Sequence, residues 1–157
     1  MIKKLLVAID ASQAAVSATE AAEQLAVQVG AAIVLVHIVD AGVVTSDGTQ
    51  RFAPTIDELK RSGEALLINA RARITAKLDV SSLLLEGDPA DTIVSTARLC
   101  DADMIVIGTD SRGRLAHFLL GSTTDGVIRR AHCPVLAVRQ DAKPPWQKAR
   151  DNTSAVA

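Results

Sequence analysis

Residues 108–123 read GTDSRGRLAHFLLGST and hold the residue types from which an anion site is built. Gly108 has no Cβ, so another group can pass close to its backbone. Gly121 and Ser122 stand where a helix would begin, and unbonded backbone N–H groups at that positive end attract anions. Arg112 and Arg114 add cationic side chains to the intervening loop. The chemistry on offer is recognition of phosphate. The same residues also describe a plain helix cap with solvated arginines, and the local pattern leaves both readings open.

Other chemistries find no such set. His37, His117 and His132 form no HxxxH or HExxH pair, so no metal site made of protein side chains is expected. His37 lies in an apolar run and reads as a satisfied core residue, while His132 lies at a helix end, where the dipole favours a cation. Cys100 and Cys133 form no CxxC pair. They read as small core residues of a protein in a reducing compartment, and a cytoplasmic location is expected. There is no GxSxG elbow. Asp88 and Asp91 suit a helix start better than paired acid–base work. No catalytic residue is assigned, and the chain is not expected to be an enzyme.

The hydrophobic pattern describes the scaffold that would carry the loop. Residues 4–10 (KLLVAID) form an apolar run ending in an acid, which reads as a buried strand. Ser12 is an N-cap candidate for a helix over Gln13–Val29, with Ala18, Ala22, Leu25 and Val29 as its apolar stripe and Gly30 as its stop. Ala31–Val39 is apolar on both faces, as in parallel sheets covered by helices. Asp40–Pro54 reads as a loop. Thr55–Leu78 reads as a helix, with Leu59, Gly63, Leu66, Leu67, Ala70 and Ile74 along one side and Arg71, Arg73 and Lys77 late in it. A strand at Val80–Leu85 leads through Gly87, Asp88 and Pro89 into a helix that ends near Cys100 and buries Ile93, Val94 and Ala97. Met104–Ile107 forms a fourth strand reaching Gly108. After the loop, a helix from Gly121–Ser122 to about His132 and a strand at Pro134–Arg139 complete the order β-α-β-α-β-α-β-α-β.

That alternation implies a doubly wound, five-stranded parallel sheet with helices on both faces, a Rossmann-like α/β fold. Ligands in such sheets sit beyond the carboxyl ends of the strands at the switch point, and Asp10 and Gly108 both fall at such ends. Residues 1–140 are read as one domain. Residues 141–157, which contain a Pro pair, are read as a mobile tail.

Composition narrows the partners. Apolar residues make up 48% and charged residues 22%, as in a globular domain, and the 2% of aromatics leaves the core to Ala, Val, Leu and Ile. Phe52, Phe118 and Trp146 are too scattered for base-stacking platforms, so no nucleic acid partner is expected. No apolar run reaches the ~18 residues of a membrane span. The N-terminal run is too short for a signal peptide. Charge is uneven: residues 111–157 carry eight basic and three acidic side chains, a balance that attracts phosphate or marks a solvated face and tail.

The segment from Gly108 to Gly121 and Ser122 resembles the nucleotide-binding signature G-x-x-G-x9-G-[ST] of the universal stress protein family, with Ser111 in place of the second glycine. KLLVAIDAS, VLVHIVD, EGDPADTIV, DMIVIGT and LLGSTTDGVIRRAHCPVLAVR resemble further stretches of that family, over nearly all of residues 2–139. The resemblance implies an adenine nucleotide alpha hydrolase-like sheet of order 3-2-1-4-5. It also implies a stress-response module, regulatory or chaperone-like, that holds ATP or another adenine nucleotide with Mg2+. Carried over by position, Ala8, Ile9 and Asp10 would meet the adenine or ribose edge, and Ile38 would flank the base. Gly108, Asp110 and Ser111 would lie along the ribose and phosphates, and Gly121, Ser122 and Thr123 would hold the phosphates. Asp10 has a second role open to it, capping the following helix together with Ser12. The resemblance further implies a homodimer through residues 134–139. A nucleotide-free member acting through protein contacts, with an unknown protein partner, is the alternative; a slow ATPase is a third reading.

Overall fold

The computed structural model describes residues 1–40, 54–109 and 121–140 of the chain. Along them run β1 (Lys4–Ala8), α1 (Gln13–Val29), β2 (Ala32–Val39), α2 (Ile56–Arg73), β3 (Val80–Glu86), α3 (Pro89–Leu99), β4 (Met104–Thr109), α4 (Ser122–Arg130) and β5 (Val135–Arg139). The strands pair in parallel in the order β3-β2-β1-β4-β5, the expected fold class and order. The chain moves from β1 outward to β2 and β3, then returns to the other side of β1 as β4. The switch point therefore lies between β1 and β4. No helix among the described residues is long and apolar enough to cross a membrane.

Side-chain alternation divides the core into two layers. Leu5 and Val7 of the first strand, with Ile9 just beyond it, pack with Leu35, Val106, Ala18, Ala21, Ala22 and Ala26 of α1, and Leu67 and Ala70 of α2. Leu6 faces the other way, with Ile105 and Ile107, Ile93 and Ala97 of α3, and Val127 of α4. The inner face of α1 is made of Ala14, Ala15, Ala18, Ala21, Ala22 and Ala26. The expected stripe is thus rotated: Ala18 and Ala22 are buried, but Leu25 is half-buried and Val29 is exposed. Small side chains let this helix lie close to the sheet, and larger ones are turned outward. Cys100 and Cys133 are half-buried at the rim of the second layer rather than inside it.

Helix ends follow local chemistry at some places and long-range chemistry at others. Ser12 caps α1 by accepting from the Ala15 N–H at 3.1 Å, and Gly30 ends it in the left-handed conformation, φ 71°. Thr55 and Glu58 form a capping box at the start of α2. That helix stops at Arg73, short of the expected Leu78, and leaves Lys77 outside it. The Glu23 carboxylate of α1 accepts from the Thr75 and Ala76 N–H groups, both at 2.7 Å, and draws the chain off the helical path. The last helix ends at Arg130 rather than His132, because Ala131 is already extended (ψ 140°) on the way to Pro134. The first strand ends at Ala8, although the Ile9 N–H still donates to the Val36 carbonyl at 2.8 Å.

At the amino ends of β1 and β4 the Asp103 carboxylate accepts from the Lys3 and Lys4 N–H groups at 2.8 and 3.0 Å, while the Asp103 N–H donates to the Lys4 carbonyl at 2.9 Å. The backbone N–H of Lys3 chiefly holds the Asp103 carboxyl below its usual range; desolvation opposes it, and the Lys4 N–H adds a lesser lowering. A depressed carboxylate stabilises the fold above its unfolded pKa, and that contribution is lost as pH falls through its folded value. Asp103→Asn removes this dependence. Thermal midpoints followed from neutral pH to about pH 3 should drop less steeply in the variant than in the parent, and parallel curves would contradict the clip.

Candidate functional site

At the carboxyl ends of β1, β2 and β4 a cleft of about 170 Å³ opens, several times the ~30 Å³ that one water occupies in the liquid. Ala8, Ile9 and Asp10 line it from the first strand's end, Val36, His37 and Ile38 from the second, and Ile107 and Gly108 from the fourth. Ala15 of α1, Pro89 and Ile93 of α3, and Thr123 and Thr124 of α4 complete the wall. The lining is chiefly aliphatic, with Asp10, His37, Thr123 and Thr124 as polar side chains, a combination suited to an organic ligand with a few oriented polar contacts.

Six of the residues singled out by sequence meet here: Ala8, Ile9, Asp10, Ile38, Gly108 and Thr123. Gly121 and Ser122 do not line the cleft themselves. They are the exposed N-cap and first residue of α4, next in chain to Thr123, which does. Gly121 supplies no side-chain cap, and among the described residues no side chain caps the first turn of this helix. Asp110 and Ser111, with Arg112, Arg114 and His117, lie outside the described residues. The sequence reading missed Ala15, Val36, His37, Pro89, Ile93, Ile107 and Thr124. Strand alternation from Ile38 had the information to find Val36, whereas Ile107 is related to Ala8 only through the β1–β4 register.

Asp10 performs its capping role: its Oδ1 accepts from the Ser12 N–H at 2.9 Å and from the Ser12 hydroxyl, and Ser12 in turn caps α1. Its Oδ2 makes no hydrogen bond among the described residues. Gly108 lines the cleft, and its missing side chain also serves the packing of α1. A Cβ there would fall 2.5 Å from the Ala14 carbonyl carbon and 2.7 Å from the Ala15 nitrogen, so the space that glycine leaves is filled by the first turn of α1. The Gly108 carbonyl accepts from the Thr124 hydroxyl at 3.2 Å, which ties the start of α4 to the same point. Among the described residues no three His, Cys, Asp or Glu side chains gather to hold a metal. Burial pushes the Cys133 thiol up, away from the thiolate a nucleophile needs.

The sequence profile of the universal stress protein family matches residues 1–139. A universal stress protein of Methanocaldococcus jannaschii is 31% identical over 145 residues, covering 91% of this chain and 85% of that one. The crystal structure of a family protein from Burkholderia pseudomallei superposes with a TM-score of 0.68 at 32% identity, covering 87% of this chain and 96% of the other. At 24% identity, the structure of a universal stress protein in complex with cAMP shares the fold, with a TM-score of 0.69 over 89% of this chain and 99% of that one.

The contacts at the two glycines predict opposite outcomes. Gly108→Ala forces a Cβ onto the backbone of α1 and should cost about 2–3 kcal/mol, the upper range for overpacking. Gly121→Ser meets open space among the described residues, none of which lies within 4 Å of its Cβ. It adds a capping hydroxyl and should leave stability unchanged or raise it by about 0.5 kcal/mol. Urea denaturation of both variants checks the contrast.

Proposed function

The chain belongs to the universal stress protein family, and from that premise we propose that it holds an adenine nucleotide, ATP with magnesium, in this cleft as a regulatory module rather than as an enzyme. The observation that carries the reading is the convergence of Ala8, Ile9, Asp10, Ile38, Gly108 and Thr123, drawn from three strand ends and a helix start, on one aliphatic cleft at the switch point. Aliphatic walls from Ala8, Ile38 and Ile107 take the planar base. The Asp10 carboxylate accepts from the base or ribose edge through its uncommitted oxygen. The phosphates lie before the N-terminus of α4 at Gly121, Ser122 and Thr123, where helix dipole and amides favour negative charge. By the family resemblance Asp110 and Ser111, outside the described residues, would lie along the ribose and phosphates. The metal ion enters on the phosphates, with no protein side chain assigned to it. That a neighbour sharing this fold was solved in complex with cAMP supports the reading.

Mass spectrometry of the denatured, purified protein should release an adenine nucleotide. In calorimetry with ATP and magnesium, Asp10→Ala should weaken binding by about 1–3 kcal/mol, the scale of a lost hydrogen bond to a charged group. Gly121→Val should weaken it further, and Ser111→Gly should preserve or tighten it. A parent that gives no heat and releases no nucleotide overturns the reading in favour of a nucleotide-free member acting through protein contacts.

The same reading extends to a homodimer through β5. That strand is one edge of the sheet, and its residues Val135, Leu136 and Ala137 are only half-buried, whereas exposed apolar edges are ordinarily covered. Val138 is buried in the monomer's own core, so the outward half of the edge carries the pairing. Light scattering coupled to chromatography at micromolar concentration should give twice the chain mass. Ala137→Pro removes a backbone donor that the parallel register turns away from β4 and should shift the protein to monomer. A monomeric parent contradicts the proposal.

A further inference from the structure

We propose that His37 is a positioning residue of the cleft: its imidazole, seated against Gly63 of α2, donates to the Ile9 carbonyl and so fixes the Ile9–Asp10 peptide. The inference rests on the nucleotide reading for its consequence in binding, but not for its geometry. Ile9 is the last residue of the first strand's end to be tied to the sheet. Its N–H completes the ladder by donating to the Val36 carbonyl at 2.8 Å, and its carbonyl lies 2.8 Å from His37 Nδ1. A carbonyl only accepts, so Nδ1 carries the proton. Both backbone groups of Ile9 are thus held by neighbouring residues of β2, the second through a ring where the ladder runs out.

Gly63 is what gives the ring its place. A Cβ at that position would stand 2.4 Å from His37 Cδ2, 3.0 Å from Nε2 and 2.7 Å from Leu84 Cδ1. The second helix therefore presses on the imidazole with a bare backbone, and the ring cannot swing toward it. The peptide between Ile9 and Asp10 is planar and trans, so fixing the Ile9 carbonyl also fixes the opposite direction for the Asp10 N–H. That N–H makes no hydrogen bond among the described residues, and Asp10 lines the cleft. Beyond it, the Asp10 carboxylate holds Ser12, which caps α1. A chain of contacts therefore runs from α2 through His37, Ile9 and Asp10 to the start of the first helix. Without a donor at position 37 the Ile9 carbonyl loses the partner that orients it, and the peptide is free to turn.

The test separates the donor from the bulk of the ring. His37→Leu keeps an apolar side chain and removes the donor. His37→Asn places an amide nitrogen where Nδ1 branches. With both variants shown folded by circular dichroism, His37→Leu should bind ATP with magnesium about three- to tenfold more weakly, the size of one net hydrogen bond, and His37→Asn should recover most of the loss. In nitrogen-15 spectra of the nucleotide-free protein, the Asp10 and Ser12 amide signals should move in His37→Leu and return toward the parent in His37→Asn. Long-range proton–nitrogen correlation on the parent should find Nδ1 of His37 protonated. A parent that binds no ATP defeats the nucleotide reading alone, because the amide signals and the protonated nitrogen still judge the positioning. An unprotonated Nδ1, unmoved Asp10 and Ser12 signals in a folded His37→Leu, or a His37→Asn variant as impaired as His37→Leu overturns it.

Discussion

Backbone meets backbone where α1 crosses Gly108, and the carboxyl edge of the sheet is organised by that approach. A glycine in β4 leaves a gap beside its Cα, and the main chain of Ala14 and Ala15 fills it. Close approach of this kind fixes the angle at which the first helix leaves the first strand. It thereby confines Asp10 and Ser12 to the tight turn in which one caps the other and the second caps the helix. From the opposite side, Thr124 bonds the Gly108 carbonyl and brings the start of α4 to the same strand end. The starts of α1 and α4 thus meet at one strand end whose residue has no side chain.

Alanine does for the core what glycine does for the edge. With almost no aromatic residues, the first layer is built from branched aliphatic side chains on the sheet and alanines on the helix that covers it. Such a helix can lie near the sheet over its length, which is the geometry the contact at Gly108 requires. At the far end of the strands, Asp103 holds the amino ends of β1 and β4 with charge-assisted hydrogen bonds to Lys3 and Lys4. The two central strands are therefore fixed at their bases, while their other ends are free to carry the cleft. This separates the residues that keep the sheet in register from those that face a ligand.

Much of this was legible in the sequence, and the misses have a common physical character. Alternating apolar runs and helical stripes are local signals, and they returned the element order, the parallel sheet and the caps at Ser12 and Gly30. The spacing from Gly108 to Ser122 and the acid at position 10 likewise pointed to the strand ends that form the cleft. What the sequence hid depends on partners distant along the chain. The end of α2 is set by Glu23, some fifty positions earlier. Gly108 stands at the cleft, and nothing local says that the gap beside its Cα is filled by the protein's own first helix. His37 read as a core residue, and nothing local says that its neighbours are the Ile9 carbonyl and Gly63. Gly63 itself, read as one member of an apolar stripe, is there for the room it leaves.

The aliphatic cleft between β1 and β4, with the start of α4 before it, is the proposed seat of an adenine nucleotide. The most direct measurement is residue-resolved chemical-shift mapping of the assigned protein during titration with ATP and magnesium, which reports where the nucleotide sits without altering a residue. Saturable shifts are expected at the amides of Ile9, Asp10, Ile38, Gly108, Ser122 and Thr123. Spectra that do not change, or shifts confined to the outer groove of α3 and α4 around Arg98 and Arg130, would contradict that placement.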